Sequence, residues 1–400
     1  MPLATSLSGG LDSSAVLCTM HSIGQHQGFT KDWQKAFVAC FPGTELDEQQ
    51  YARQVIEATK AIPVYTEIKI EDCIPRLEKI VYQLEDINWV FLAGLWKNYK
   101  TMRDNGIVVS MDGHGSDELL GGYHFIIEDE MRNALSPWPK LGHYLELKKI
   151  LEGFTGGSNP IRPSLIKDLL ILMCRHKQWP LVMKALYPLR SVYRFLKRGH
   201  SAPDSFISHF IKEQKLKLHE KMLEKDELAG LSHLNRNLYA YFHDTVLPSI
   251  LRNFDRASMA HGVEIRMPFM DWRIVCFGFS LPDESKIGGG YAKRILRESM
   301  RNIIPDQIRL RTNKIGFTSP MDKWFKGPLR GFLLDSVNSR NFLLSDIWDG
   351  SALKNFVELS LEKQDYSSLE RAWPFLNAHL LVKQFDLQRS RYCSDKQTRF

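Results

Sequence analysis

Nowhere in its 400 residues does the chain hold an uninterrupted apolar run approaching the roughly 18–20 residues that a membrane span requires, and no basic-then-apolar leader opens it. These absences predict a soluble protein with no transmembrane segment. Low-complexity blocks are also missing, so most of the chain is expected to fold. Cysteine is scarce: Cys18, Cys40, Cys73, Cys174, Cys276 and Cys393 are scattered, and no two stand at metal-ligand spacing. Reduced thiols in a cytoplasmic protein are the plain expectation. Charge is not strongly one-sided either. A net charge of +7 and a pI near 8.9 suit an anionic substrate, but equally a weak nucleic-acid or membrane contact. Met1-Pro2 stands only a few residues ahead of a Gly-rich loop, which suggests that sequence is missing upstream.

What is present divides unevenly. Up to about residue 123, short β-type runs alternate with helical patterns. Strands are expected at Leu3–Leu7, Ala36–Phe41, Pro63–Ile68 and Ile107–Met111, and helices at Asp12–Ser22, Asp47–Thr59, around Ile74–Leu84 and at Val90–Asn105. Alternation of this kind predicts an α/β fold with a mostly parallel sheet flanked by helices, and a ligand at the carboxyl ends of its strands. Beyond Tyr123 no comparable strand pattern recurs, and amphipathic helical stretches dominate to about Leu387. We therefore divide the chain into an α/β core (1–123), a helical, basic insertion (124–235) and a further helical part (236–400). Within the insertion, Ile161 to His200 carries nine Lys or Arg against the single Asp168. Solvated faces of amphipathic helices explain that stretch better than a nucleic-acid or membrane surface does. The tail from Ser390 to Phe400 is polar and expected to fray.

The strongest local signal is Ser8-Gly9-Gly10-Leu11-Asp12-Ser13-Ser14, set between an apolar strand and the first turn of a helix. Two glycines let the backbone approach a phosphate, while free amides at the helix start and the hydroxyls of Ser8, Ser13 and Ser14 donate to its oxygens. Asp12 is out of place beside phosphates unless a divalent cation lies between them, which argues for Mg²⁺. The Gly-Lys-Ser/Thr of the Walker loop is absent.

This string resembles the PP-loop of the ATP pyrophosphatases, and the chain resembles the synthetase domain of the asparagine synthetase family. The likeness recurs at Gly113-His114-Gly115-Ser116-Asp117-Glu118 with Gly121-Gly122-Tyr123. It recurs again at Asp255-Arg256-Ala257-Ser258-Met259-Ala260 running on to Asp271, and at Lys293-Arg294-Ile295-Leu296-Arg297 with Arg311, Lys314, Gly316, Phe317 and Pro320. The resemblance implies a PP-loop (HUP-like) α/β core followed by a mostly helical C-terminal region. It implies ATP cleaved to AMP and pyrophosphate, a carboxylate substrate adenylated and then aminolysed, and Mg²⁺ as cofactor. By position, Leu7 and Ala39 match backbones that hold adenine, and Asp112 with Gly113 match the adenosine contact. Ser8, Gly9, Gly10, Asp12 and Ser13 would hold pyrophosphate, with Asp12 and Asp117 as metal ligands. Arg256 and Lys293 match cations that approach the phosphates.

Two departures shape the functional reading. No glutaminase segment precedes the loop, so nitrogen is expected from a separate glutaminase subunit, from missing upstream sequence, or from an amine on the acceptor, as in a precursor peptide. Glu264, flanked by apolar residues, must be paired, with Arg266 as the near partner, or must serve the reaction. Its partner position in the family is Glu in asparagine synthetases and Tyr in the β-lactam-forming branch; here it is His114, which fits a general base in aminolysis. That substitution weakens the inference of aspartate as substrate and opens peptide lactam closure or sugar-acid amidation. A non-catalytic nucleotide-binding domain and a PP-loop enzyme acting on transfer RNA are the alternatives of another class. The intact Asp12, Asp117, Arg256 and Lys293 argue against the first, and the motifs from Asp255 to Pro320 against the second.

Overall fold

The computed structural model describes residues 2–30, 32–88, 90–135, 140–154, 206, 228, 230–316 and 318–397. The basic stretch from Ile161 to His200 lies outside the described residues, as does Phe317, and no side chain from Ser390 onward is described. Five strands form one parallel sheet: β1 (Leu3–Ser6), β2 (Gln34–Cys40), β3 (Ile62–Glu67), β4 (Val109–Met111) and β5 (Glu264–Arg266), in the order β3-β2-β1-β4-β5. The central strands read as apolar runs because helices cover both faces. Ala4, Ala36, Phe37 and Val38 are fully enclosed. Pro63 is tolerated because β3 is an edge strand with no further partner to satisfy.

Along the first half the helices are α1 (Leu11–His26), α2 (Gln49–Thr59), α3 (Leu77–Leu84), α4 (Ala93–Asp104), α5 (Ser116–Leu120), α6 (His124–Ala134) and α7 (Leu141–Phe154). α1 to α4 agree with the four expected helices to within a few residues at each end, and α5 is an additional short one. In the second half stand α8 (His233–Ala240), α9 (Leu247–Met259), α10 (Trp272–Ser280), α11 (Arg294–Ser299), α12 (Met321–Lys326), α13 (Leu329–Asn338), α14 (Gly350–Glu362) and α15 (Trp373–Gln397). β5 corrects the expectation that no strand follows Tyr123. Its three residues are mostly exposed and carry no alternation, yet Glu264, Ile265 and Arg266 pair in parallel register with Val109, Ser110 and Met111.

The chain order matters more than the count. From β1 the sheet grows one way through β2 and β3 and the other way through β4 and β5. The loops leaving β1 and β4 therefore diverge to opposite sides and open a crevice at their carboxyl ends. One apolar core joins α3 and α4 to α12–α15 around Phe325, Phe342 and Trp373. A second underlies the loop after β1, with Leu7, Leu17, Val38, Val55 and Leu119. The third ties α6 and α7 to α8 through Ile126, Tyr144, Leu147, Leu234 and Leu238. Among the described residues no helix is long and apolar enough to cross a membrane.

Candidate active site

A cavity of about 480 Å³ occupies the crevice between β1 and β4. Leu7, Ser8, Gly10, Asp12 and Ser13 line one side of it. The loop is braced by its own polar atoms. The Gly10 amide donates to Ser8 Oγ at 3.1 Å, the Ser8 amide to Ser13 Oγ at 3.3 Å, and the two hydroxyls stand 3.2 Å apart. Gly10 caps α1 without a side-chain bond, so the first amides of the helix have no helical acceptor and remain available to an anion. Ser14 does not share in this. Its hydroxyl is fully buried with no hydrogen-bond partner among the described residues, and it does not line the cavity. Gly9 also turns away, packing on α2, while its carbonyl accepts from Arg311 at 3.4 Å.

Opposite the loop, Asp112, Gly113, His114, Gly115 and Asp117 line the cavity from the end of β4. A Cβ on Gly113 would stand 2.8 Å from the Asp12 carbonyl carbon, so the two loops touch backbone to backbone. That approach brings Asp12 and Asp117 to a single buried lysine. Lys293 Nζ lies 2.6 and 2.5 Å from the two Asp12 oxygens and 2.6 Å from Asp117 Oδ1. Ser116 Oγ donates to Asp12 at 2.9 Å. Lys314, which also sits over the Tyr123 ring, bonds the same Asp117 oxygen and the Gly122 carbonyl. Burial alone would raise the Asp117 carboxyl, but the ammonium groups of Lys293 and Lys314 hold it at about 2. Burial likewise opposes charge on Lys293, and the two aspartates outweigh it, raising the ammonium above its ordinary value.

Lys293 is held in an unusual way. Its backbone is left-handed, at φ 53° and ψ 39°, just before α11. A non-glycine residue in that region costs of order 1 kcal/mol or more and persists where the surroundings over-determine it. Gly122 shows how tight they are, since a Cβ there would stand 1.9 Å from Asp117 Oδ1 and 2.1 Å from Lys293 Cε.

At the other end of the β4 loop, Asp112 is fully buried at the strand terminus. It accepts from Tyr99 Oη and Ser110 Oγ at 2.6 Å and from the Ser6 amide at 3.1 Å. Burial pushes its carboxyl up, but His114 and the hydroxyls of Ser110 and Tyr99 together leave it below its usual value. His114 Nε2 stands 3.8 Å from Asp112 Oδ2, beyond a hydrogen bond, and its ring packs on Phe254 with centroids 3.9 Å apart. Ala39 lines the same cavity near Leu7, at the ends of β2 and β1.

Besides Ser14 and Gly9, two further expected site residues are not brought to the cavity. Arg256 lies to the side of the α9 face that carries Ile250, Asn253 and Phe254, and it pairs with Glu85 at 2.5 Å, half exposed. Helical spacing puts 250, 253 and 254 on one stripe and turns 256 out of it. Glu264 lies on the exposed edge strand β5, paired with Arg266 at 2.7 Å, the near partner expected from the sequence. Other lining residues carried no assigned role in the sequence. Arg311 covers the Tyr51 ring at 3.7 Å and donates to Glu48 at 2.7 Å, a carboxyl that burial pushes up against the pull of that guanidinium. Glu118, also raised by burial, accepts from Tyr123 at 2.6 Å.

The model of the asparagine synthase family matches residues 1–383. The chain belongs to the asparagine synthase family. Among curated relatives, asparagine synthetase [glutamine-hydrolyzing] 1 of Bacillus subtilis is 25% identical over 380 residues, covering 90% of this chain and 52% of that protein. Amidase chry2 of Gibberella zeae is 23% identical, over 98% of this chain and 60% of its own length. Human asparagine synthetase [glutamine-hydrolyzing] is 36% identical over a 110-residue part, 22% of this chain and 20% of that one. The chain thus spans 52% and 60% of the length of the first two of these relatives.

Proposed function

We propose that this chain is an ATP-dependent amide-forming ligase that adenylates a carboxylate, releases pyrophosphate, and passes the acyl group to an amine. The single observation that carries the reading is the convergence of Asp12 from the β1 loop, Asp117 from the β4 loop and Lys293 on one point beside a helix start with free amides.

In the first step a carboxylate oxygen attacks the α-phosphorus, forming an acyl–O–P bond and breaking the bond to the β-phosphate. Negative charge grows on the departing pyrophosphate. Ser8, Gly10 and Ser13 of the loop would bind it, and Lys293, already desolvated and fixed, would stabilise it without reorganisation. Leu7 and Ala39 would seat the adenine, and Asp112 with Gly113 the ribose side. Two carboxylates converging within reach of one cation suit Mg²⁺, which takes one or two carboxylates plus substrate phosphates. Among the described residues no group of three or more His, Cys, Asp or Glu could hold a metal alone, so phosphate oxygens would complete the set. Bound by Asp12 and Asp117, Mg²⁺ would neutralise phosphate charge.

In the second step an amine attacks the acyl carbon, AMP leaves, and the amine loses a proton. His114, at the cavity wall and with no hydrogen-bond partner for its Nε2 among the described residues, is the group positioned to take it. Residues 1–123 would act as the nucleotide-binding core, 124–235 as an insertion and 236–400 as the part that supplies Lys293. Phosphorus NMR of the nucleotide products tests the reading: AMP and pyrophosphate are expected, and ADP with phosphate would overturn it.

A further inference from the structure

The charged groups of the cavity are unevenly placed. Lys293 and Lys314 are taken up by Asp12 and Asp117, Arg311 by Glu48 and the Gly9 carbonyl, and Arg297 by the backbone carbonyls of Ala292, Arg309 and Arg311. All four cations stand on the phosphate side. Across His114 the wall changes character. Ile250, Asn253 and Phe254 of α9 line the cavity, joined by Asn88 and Leu92, and the charged lining group nearest them is Asp112, whose oxygens already accept from Tyr99, Ser110 and the Ser6 amide.

The polar element of that wall is an amide pair. Asn253 Nδ2 donates to Asn88 Oδ1 at 2.9 Å, and Asn88 Nδ2 approaches Asn253 Oδ1 at 3.5 Å. Asn253 is only 8% exposed. Each carboxamide has two N–H donors and two acceptor lone pairs, so among the described residues the pair satisfies about half of what it presents and leaves donors and acceptors together at the cavity wall. The surroundings hold this arrangement in place. Arg252 bonds Asp86 at 2.7 Å and Arg256 bonds Glu85 at 2.5 Å, which fastens the loop carrying Asn88 to the helix carrying Asn253. Arg256 thus acts at a distance from the phosphates, as a positioning residue.

Resting on the adenylation reading above, we propose that this wall is the acceptor subsite and that it selects a carboxylic acid flanked by amide bonds. Free aspartate would have to desolvate a second carboxylate beside Asp112 with no cation to pair it, and an ammonium facing an Asp112 whose oxygens are already spent, and buried charges without partners are costly. Amide N–H and C=O groups beside the reacting carboxylate would instead meet the unspent donors and acceptors of Asn88 and Asn253, with Phe254 and Ile250 covering the apolar chain. Gly113 lies against the Asp12–Ser13 backbone and His114 against Phe254, so an acid held on this wall reaches the phosphate side past His114.

The test compares acids in the exchange of labelled pyrophosphate into ATP. The probes are free L-aspartate and L-glutamate against their N-acetyl, α-methylamide forms, whose side-chain carboxylates stay free. The blocked acids are expected to give kcat/KM at least about tenfold higher, and Asn253→Ala to raise their KM by about tenfold with the KM for ATP unchanged. Free aspartate exchanging as well as its blocked form, an unchanged ratio in Asn253→Ala, or no exchange with any of the four acids would each overturn the subsite. Exchange driven by free aspartate removes this inference and leaves adenylation standing, whereas ADP as product removes both. The comparison on the unaltered enzyme needs no variant to fold.

Discussion

The ammonium of Lys293 stands 2.6 Å from Oδ1 of Asp117, the same oxygen that accepts from Lys314. One largely enclosed carboxylate thus answers two cations delivered from different parts of the chain, and Asp12 completes the charge balance around Lys293. Removing Lys293 leaves Asp12 facing Asp117 with Lys314 as the remaining neighbour. Lys293→Ala is expected to lower kcat by about two to three powers of ten, with a smaller change in the KM for ATP. Lys293→Arg should restore little, because a planar guanidinium cannot fill the point where three oxygens meet. Steady-state kinetics of both variants check this, and unchanged turnover in Lys293→Ala would refute the role.

Gly122 offers an independent probe of the same junction. A methyl group there would collide with Asp117 Oδ1 and Lys293 Cε, whereas one on Gly142 would meet nothing within 4 Å. Gly122→Ala is therefore expected to lose activity on the scale of Lys293→Ala with the fold retained by circular dichroism, and Gly142→Ala to remain active. Equal activity in the two glycine variants would show that the junction tolerates displacement.

Much of this was legible from local sequence. The loop from Ser8 to Ser14 and the segment from Gly113 to Asp117 each follow an apolar strand, and strand order alone places their carboxylates together. Other features were not legible. β5 is three mostly exposed residues whose pairing depends on the neighbouring β4. Arg256 and Lys293 look equally basic in sequence, and only the helical phase of α9 separates the one that points away. Asn88 and Asn253 lie 165 residues apart, and neither belongs to a charged or Gly-rich pattern that would single it out. Lys314 sits in a loop with no periodicity, so its bond to Asp117 emerges only from the fold.

His114 separates the two half-reactions. Its ring is clamped against Phe254, and its Nε2 has no hydrogen-bond partner among the described residues. His114→Ala is expected to retain pyrophosphate exchange, measured with acid and no amine, while amide formation falls by about two or more powers of ten. A parallel fall of both would make His114 a nucleotide-binding residue instead.

Stability should carry a signature of His261, outside the cavity. Burial, with Lys100 adding to it, pushes the imidazole down to about 4, and its ring packs against Trp96 at 4.5 Å. In the unfolded chain the ordinary value is about 6.5. Between those values the unfolded state binds a proton that the folded state does not, so the contribution is fully present above about 6.5 and is lost as pH falls towards about 4. In His261→Leu, the Tm relative to the parent should improve steadily from pH 7 to pH 4.5. A Tm difference independent of pH would contradict the assignment.

The most direct test of carboxylate adenylation follows oxygen. An acid labelled with ¹⁸O in its carboxylate, chosen because it drives pyrophosphate exchange, is converted to amide with ATP and ammonia or its natural amine, and the products are weighed by mass spectrometry. Attack on the α-phosphorus joins a carboxylate oxygen to phosphorus, and aminolysis then breaks the acyl C–O bond, so one labelled oxygen per turnover should appear in AMP. Label in pyrophosphate or inorganic phosphate, or AMP formed without it, would contradict the account.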